Sequence, residues 1–121
     1  MFCDDFLTGV ITHAHLFVGS SYLPDSWKPI NEFIHALERV QSGINNARHV
    51  GARHFVLAGD VNICFDSRSR QLELVSACIG PCVFPAEGLR EPGWSERHQV
   101  FLDFCFSNTL SVSDTFLPHA N

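Results

Sequence analysis

The chain has 121 residues and a net charge of −5, with 45% apolar and 17% charged residues. This length allows one domain with a modest core, and the composition is typical of a globular protein and excludes a disordered one. No run approaches the roughly 18 apolar residues of a membrane span, and the acids near the N-terminus argue against a secretory signal. We therefore expect one intracellular domain over residues 1–121, without membrane contact.

The distribution of charged residues indicates which partners the sequence predicts, and the cysteines indicate the redox compartment. The charge is spread evenly and the sequence contains no basic stripe, which argues against binding of nucleic acid by this segment alone. The five cysteines lack a regular framework. Most lie in apolar surroundings, and Cys78 and Cys82 are predicted to pack in a loop rather than to bind metal. The pattern indicates a reducing compartment.

The first predicted strand contains two histidines. Residues 10–18 are apolar and β-branched enough for a strand, in which His13 and His15 would share one face. Such a pair can bind zinc, but no further ligand lies at suitable spacing, so a satisfied or exposed histidine pair is favoured. Residues 20–26 are predicted to form a loop, since a proline biases the residue before it toward extended geometry.

A helix and a second strand follow. Apolar residues recur at helical spacing over residues 27–47, which predicts an amphipathic helix with a core-facing stripe, capped by Asp25 or Ser26. Residues 54–58 are predicted to form a buried, central strand. Strand, helix and strand in this order indicate a βαβ-like unit and an α/β fold.

The remaining chain is less regular. Residues 66–98 are rich in Gly, Pro, Ser and Arg and predict a long connection, with a short helix near residues 71–78. A second helix is expected over residues 96–107, and a strand over residues 110–116. Because no further element follows this strand, we expect the chain to be cut from a longer fold.

The sequence FVLAGDVNICFD, residues 55–66, ends an apolar run in an acid and an amide. Strand side chains alternate between faces, so Asp60 and Asn62 are expected on one side while Val61 points to the core. From this pair alone an Asx turn is the favoured interpretation. A pair of groups aimed at a substrate is the alternative.

The order of several short motifs resembles the endonuclease/exonuclease/phosphatase superfamily. These motifs are SSYLPDS, an amphipathic helix, VLAGDVN and FLDFCFSNTLSVSDTF, which span about residues 10–116. They are most similar to the endonuclease domain of LINE-type (non-LTR) retrotransposon polyproteins, which also carry a reverse transcriptase. The resemblance implies the middle portion of a layered α/β sandwich.

The resemblance also implies a divalent-metal-dependent phosphodiesterase acting on nucleic acid, DNA above all, with the nucleus as one compatible location. Tyr22 matches the loop tyrosine at the scissile phosphate, and Asp60 the aspartate that orients or deprotonates the attacking water. Asn62 matches the asparagine that hydrogen-bonds phosphate oxygens. Phosphodiester hydrolysis requires such a positioned water, donors for the developing charge, and a cation such as Mg²⁺ or Mn²⁺.

The chain departs from the family pattern at both ends. The segment MFCDDFLTG does not match the family's metal-binding asparagine and glutamate, and its closing Asp-His pair has no counterpart here. We therefore expect a nuclease fragment that is inactive alone; a non-catalytic remnant or interaction module is the alternative. Tyr22 as an ordinary loop aromatic is equally open, and Asp114 is expected to be structural. The sequence contains neither a Gly-x-Ser-x-Gly elbow nor a phosphate-binding glycine-rich loop.

Overall fold

A computed structural model describes residues 2–63, 78 and 95–113 of the chain. The chain divides into two compact units, Met1–Asn62 and Ile63–Asn121. The described part of the first unit contains a sheet and a long helix, and that of the second contains a shorter helix. The α/β class is confirmed at this general level. None of the helices in the described ranges is long and apolar enough to cross a bilayer.

The sheet of the first unit has four strands. They are β1 (Phe2–Cys3), β2 (Leu7–Ile11), β3 (Leu16–Tyr22) and β4 (His54–Asp60), in that spatial order. The first three are antiparallel neighbours, whereas β3 and β4 are parallel and are connected through helix α1 (Ile30–His49). This β3–α1–β4 unit is the predicted strand–helix–strand crossover.

The first predicted strand is in fact two strands joined by a turn. The Thr12 N–H donates to Leu16 O at 2.8 Å, and the His15 N–H donates to Thr12 O at 3.2 Å. Thr12 Oγ1 also accepts the Ala14 N–H, and His15 has a left-handed φ of 58°. A hydroxyl that bonds the backbone two residues on competes with extended structure. His13 and His15 therefore lie in this turn, and the prediction of a shared strand face was wrong.

Helix α1 packs on one face of the sheet by a single stripe of side chains. The buried members of this stripe are Phe33, Ala36, Leu37, Val40, Ile44 and Ala47. At Gly43 the helix approaches the sheet so closely that an added Cβ would lie 2.5 Å from Leu7 Cδ2. The three- and four-residue spacing therefore predicted the packed face correctly.

The start of α1 differs from the prediction. Pro29 occupies the N-cap position and makes no side-chain cap hydrogen bond, so the predicted cap by Asp25 or Ser26 was wrong. A proline disfavours helical geometry in the residue before it, here Lys28, so the helix begins only after Pro29. Trp27 consequently lies outside the helix and is 77% exposed, not part of the core.

Among the described strands, β4 forms the edge of the sheet. Val56 is 52% exposed, and its neighbours in the same row across the sheet, Val18 and Val10, are 41% and 51% exposed. These three valines stand on the face opposite α1, while Leu57 on the helix side is half-buried. The prediction of a buried central strand was therefore wrong for Val56, because the helix covers only one face.

The second unit contains helix α2 (Glu96–Ser107), which confirms the helix predicted over these residues. Ser95 is its N-cap and forms a capping box with His98, whose Nδ1 accepts the Ser95 N–H at 3.1 Å. Phe101 and Cys105 are buried one turn apart on the same face.

Only part of the other predictions for this unit falls on described residues. Cys78 is buried, and its carbonyl accepts the Val112 N–H at 2.8 Å, which places Val112 in a bridge. The strand predicted over residues 110–116 extends beyond the described residues after 113. Most of the short helix predicted near residues 71–78, and Cys82, also lie outside them.

Candidate active site

The parallel pairing of β3 and β4 brings Tyr22 beside Asp60. These two residues are register partners at the carboxyl ends of their strands. Because paired residues point to the same face of a sheet and neighbouring strands lie about 4.8 Å apart, the side chains of Tyr22 and Asp60 start from adjacent positions on one face. Tyr22 is 46% exposed, and Asp60 is exposed as well. Since Tyr22 ends β3, the loop predicted over residues 20–26 begins only after it.

Gly59 permits the close approach of the two strands at this point. Its φ is 123°, and an added Cβ would overlap Ser21 O and lie 2.9 Å from Ser21 C, so only glycine fits. Two further bonds join the strands here: Ser21 Oγ donates to Ala58 O at 3.4 Å, and the Leu23 N–H donates to Asp60 O at 3.0 Å. The position of Gly59 directly before Asp60 was the only sequence signal for this contact.

Asn62 lies in a turn that follows β4. Its backbone N–H donates to Asp60 Oδ1 at 2.9 Å, which closes an Asx turn, and its φ is left-handed at 52°. Its side-chain Nδ2 donates to Leu23 O at 2.5 Å. Asn62 lies outside the strand, so the side-chain alternation from which we predicted a shared face for Asp60 and Asn62 does not apply to it. The turn brings it to the same edge instead.

The turn between β1 and β2 ends at this edge too, because the Tyr22 N–H donates to Phe6 O at 3.1 Å. Asp4 in this turn accepts the Phe6 N–H and pairs with Arg39 of α1. The hydrogen bond from the Arg39 guanidinium, followed by that from the Phe6 backbone, holds the pKa of the Asp4 carboxyl below its usual value. A carboxylate engaged in this way is a poor metal ligand.

Few oxygen atoms at this edge of the sheet are available to bind a cation. Asp60 Oδ2 makes no hydrogen bond with any described residue, and Asn62 Oδ1 is a second oxygen of a kind that Mg²⁺ accepts. Within residues 2–63, 78 and 95–113, no three His, Cys, Asp or Glu side chains are grouped closely enough to hold a metal. These two oxygens alone would hold Mg²⁺ weakly, because the ion keeps most of its waters.

Comparison with known proteins gives no further assignment. The chain matches no protein-family profile, no curated protein and no solved structure. The resemblance to the endonuclease/exonuclease/phosphatase superfamily therefore stays an expectation based on motif order. What the edge can do chemically has to be argued from the arrangement of Tyr22, Asp60 and Asn62.

Proposed function

We propose that Tyr22, Asp60 and Asn62 form part of a divalent-metal-dependent phosphodiesterase site that hydrolyses nucleic acid, DNA above all. The observation that supports the proposal best is the side-by-side register of Tyr22 and Asp60. In open α/β sheets, ligands bind outside the carboxyl ends of the parallel strands, where these two residues lie. A proton donor and a carboxylate at this position suit a phosphate and its attacking water.

Asp60 and Asn62 each have two proposed tasks, and Tyr22 has one. Asp60 orients the water and accepts its proton, with Oδ1 fixed by the Asn62 N–H. The Tyr22 hydroxyl donates to a non-bridging phosphate oxygen, where negative charge develops. Asn62 Nδ2 is held by Leu23 O, so its first role is to fix the turn that orients Asp60. A bound Mg²⁺ or Mn²⁺ would be held by Asp60 Oδ2 and Asn62 Oδ1 and would neutralise phosphate charge.

Paramagnetic Mn²⁺ tests the site without turnover. With a short DNA oligonucleotide present, a substoichiometric amount should broaden the backbone amide signals of residues 22–23 and 59–62. Asp60→Asn should abolish this broadening, since it removes the carboxylate charge and keeps the shape. Glu38→Gln removes an exposed acid on α1 and should leave it unchanged. Equal broadening in both variants would contradict the assignment.

Catalysis by the chain alone is a separate question. Because two oxygens hold Mg²⁺ weakly, we expect no metal-stimulated nicking of plasmid DNA by the 121-residue chain. A longer version that includes matches to the family's missing metal and histidine motifs should nick, and Asp60→Ala should then abolish the activity. Robust nicking by the short chain that persists in the Asp60→Ala variant would contradict the proposed site.

The Asx turn favours a second candidate, a non-catalytic interaction module. The two hydrogen bonds of Asn62 already give Asp60 and Asn62 a structural role. Asp60→Asn separates the candidates, because the amide oxygen still accepts the Asn62 N–H while the charge is lost. If the parent protein shows no Mn²⁺ broadening at this edge and Asp60→Asn leaves the thermal midpoint of unfolding unchanged, the turn has a structural role only.

A further inference from the structure

A cluster of histidines and arginines lies at the end of the first unit opposite the candidate site. It is formed by the β2–β3 turn, the last turn of α1 and the start of β4. Its members are His13, His15, Arg48, His49, Arg53 and His54, all of them exposed. Strand β4 runs for seven residues from His54 to Asp60, so this His/Arg cluster lies about 20 Å from the candidate site.

Backbone hydrogen bonds bring the segments of the His/Arg cluster together. The Arg53 and His54 N–H groups both donate to His15 O, at 2.8 and 3.2 Å. Arg48, from the last turn of α1, places its guanidinium 5.1 Å from the centre of the Phe55 ring. Residues that are distant in sequence thus meet at one end of the sheet, which explains why no basic run is visible along the chain.

The local charge of the His/Arg cluster is positive. Residues 11–17 and 44–56, which supply all of its elements, contain no Asp or Glu. The two guanidinium groups carry two positive charges, and the carboxyl end of α1 opposes them with only about half a negative charge. The chain as a whole nevertheless carries a net charge of −5.

The chemistry of the His/Arg cluster fits a phosphate polymer with unpaired bases. All six side chains end in a planar group, and none is a lysine. Guanidinium groups bind phosphate oxygens in bidentate geometry, and an imidazole N–H can donate to them as well. Planar side chains also stack on splayed bases. Val50 is the one large exposed apolar residue in the α1–β4 connection, too little apolar surface for insertion into a membrane.

We propose that the His/Arg cluster binds the phosphodiester backbone of single-stranded nucleic acid. This binding surface is separate from the proposed hydrolytic site and does not depend on turnover there.

Fluorescence anisotropy with a labelled oligodeoxythymidine of about 15 nucleotides, without divalent metal, tests the proposal. Replacing His15 and His54 together by Gln should weaken binding by about tenfold, because it removes two hydrogen-bonding groups that reach phosphate oxygens. His35→Gln removes an exposed histidine of α1 outside the cluster and should leave binding unchanged.

The salt dependence gives a second readout. Arg53→Gln should weaken binding and make the slope of log K against log salt less negative by about 0.7. Arg39→Gln, outside the cluster, should not change the slope. Circular dichroism of each variant should match the parent, because all the substituted residues are exposed. Undetectable binding, or an effect of His35→Gln as large as that of the double variant, would overturn the proposal. If polyglutamate displaces the labelled oligonucleotide as efficiently as the unlabelled oligonucleotide does, the surface binds an acidic protein instead. That result would also overturn the proposal.

Discussion

Replacing Gly59 by alanine tests how closely β3 and β4 approach at the candidate site. The added Cβ would overlap Ser21 O and lie 2.9 Å from Ser21 C. Both are backbone atoms of the neighbouring strand, so no side-chain rotation can relieve the contact. Gly59 also has a φ of 123°, in the region that L-residues rarely adopt.

The expected change in the free energy of unfolding follows from two effects, the backbone strain and the steric overlap. A strained backbone conformation costs about 1–3 kcal/mol, and overpacking against rigid neighbours costs about 1–3 kcal/mol more. We therefore expect Gly59→Ala to lower the free energy of unfolding by about 2–6 kcal/mol. Gly51→Ala is the matched control: its φ is 113°, but its Cβ would meet only His15 Nδ1, at 3.9 Å. Its cost should be the strain alone, about 1–3 kcal/mol.

Urea unfolding followed by circular dichroism measures both losses, provided that the two variants keep the slope of the parent. An amide chemical-shift comparison then shows whether the Gly59→Ala perturbation spreads to Tyr22 and Asp60. A loss for Gly59→Ala no larger than that for Gly51→Ala would refute the close strand approach. The side-by-side placement of Tyr22 and Asp60 would lose its support at the same time.

Asn62, Cys105 and Asp4 allow three further tests. Asn62→Gly keeps the left-handed backbone but removes the side-chain bond to a loop carbonyl, and should cost about 1 kcal/mol in urea unfolding. Burial raises the pKa of the Cys105 thiol to about 12, so mass spectrometry should find it unalkylated by iodoacetamide in the native protein at pH near 8. The exposed Cys3 should react first, and early modification of Cys105 would contradict its burial. Arg39→Gln should raise the pKa of Asp4 toward its usual value of 3.8, as followed by its carboxyl carbon shift. Because that pKa is lowered in the folded state, the stabilisation is present above the unfolded pKa and is lost as the pH falls through the folded one.

Helical periodicity was a sufficient signal for both helices, and local backbone chemistry explains where the predictions failed. The stripe from Phe33 to Ala47 repeats with the helix period, so its buried face follows directly from the sequence. Trp27 continues the same spacing, yet Pro29 prevents the helix from beginning there. In the same way, Thr12 ends β2 by bonding the backbone of its own turn. Apolar periodicity does not register such local hydrogen bonds.

The burial of β4 was not predictable from its own residues. The run from Phe55 to Ala58 is apolar on both faces, a pattern that indicates a strand covered on both sides. Coverage depends on other elements, however, and α1 packs on only one face of the sheet, so Val56 remains exposed. The pairing of Tyr22 with Asp60 is likewise a long-range property. Spacing alone identified Asp60 and Asn62 as a pair, and only the resemblance connected Tyr22 with them.

The register of the β3–β4 pair determines both surfaces to which we assign binding. A slip by one residue reverses the face of every side chain in a strand, so it would direct either Tyr22 or Asp60 toward the helix. Two contacts fix the pairing from opposite ends: the approach of Gly59 to Ser21, and the two N–H groups that donate to His15 O. The candidate active site and the His/Arg cluster are therefore consequences of one parallel pairing. A substitution that weakens the strand pairing at one end of β4 should also perturb the other end. Substitution of an exposed side chain at one end should leave the other end unchanged.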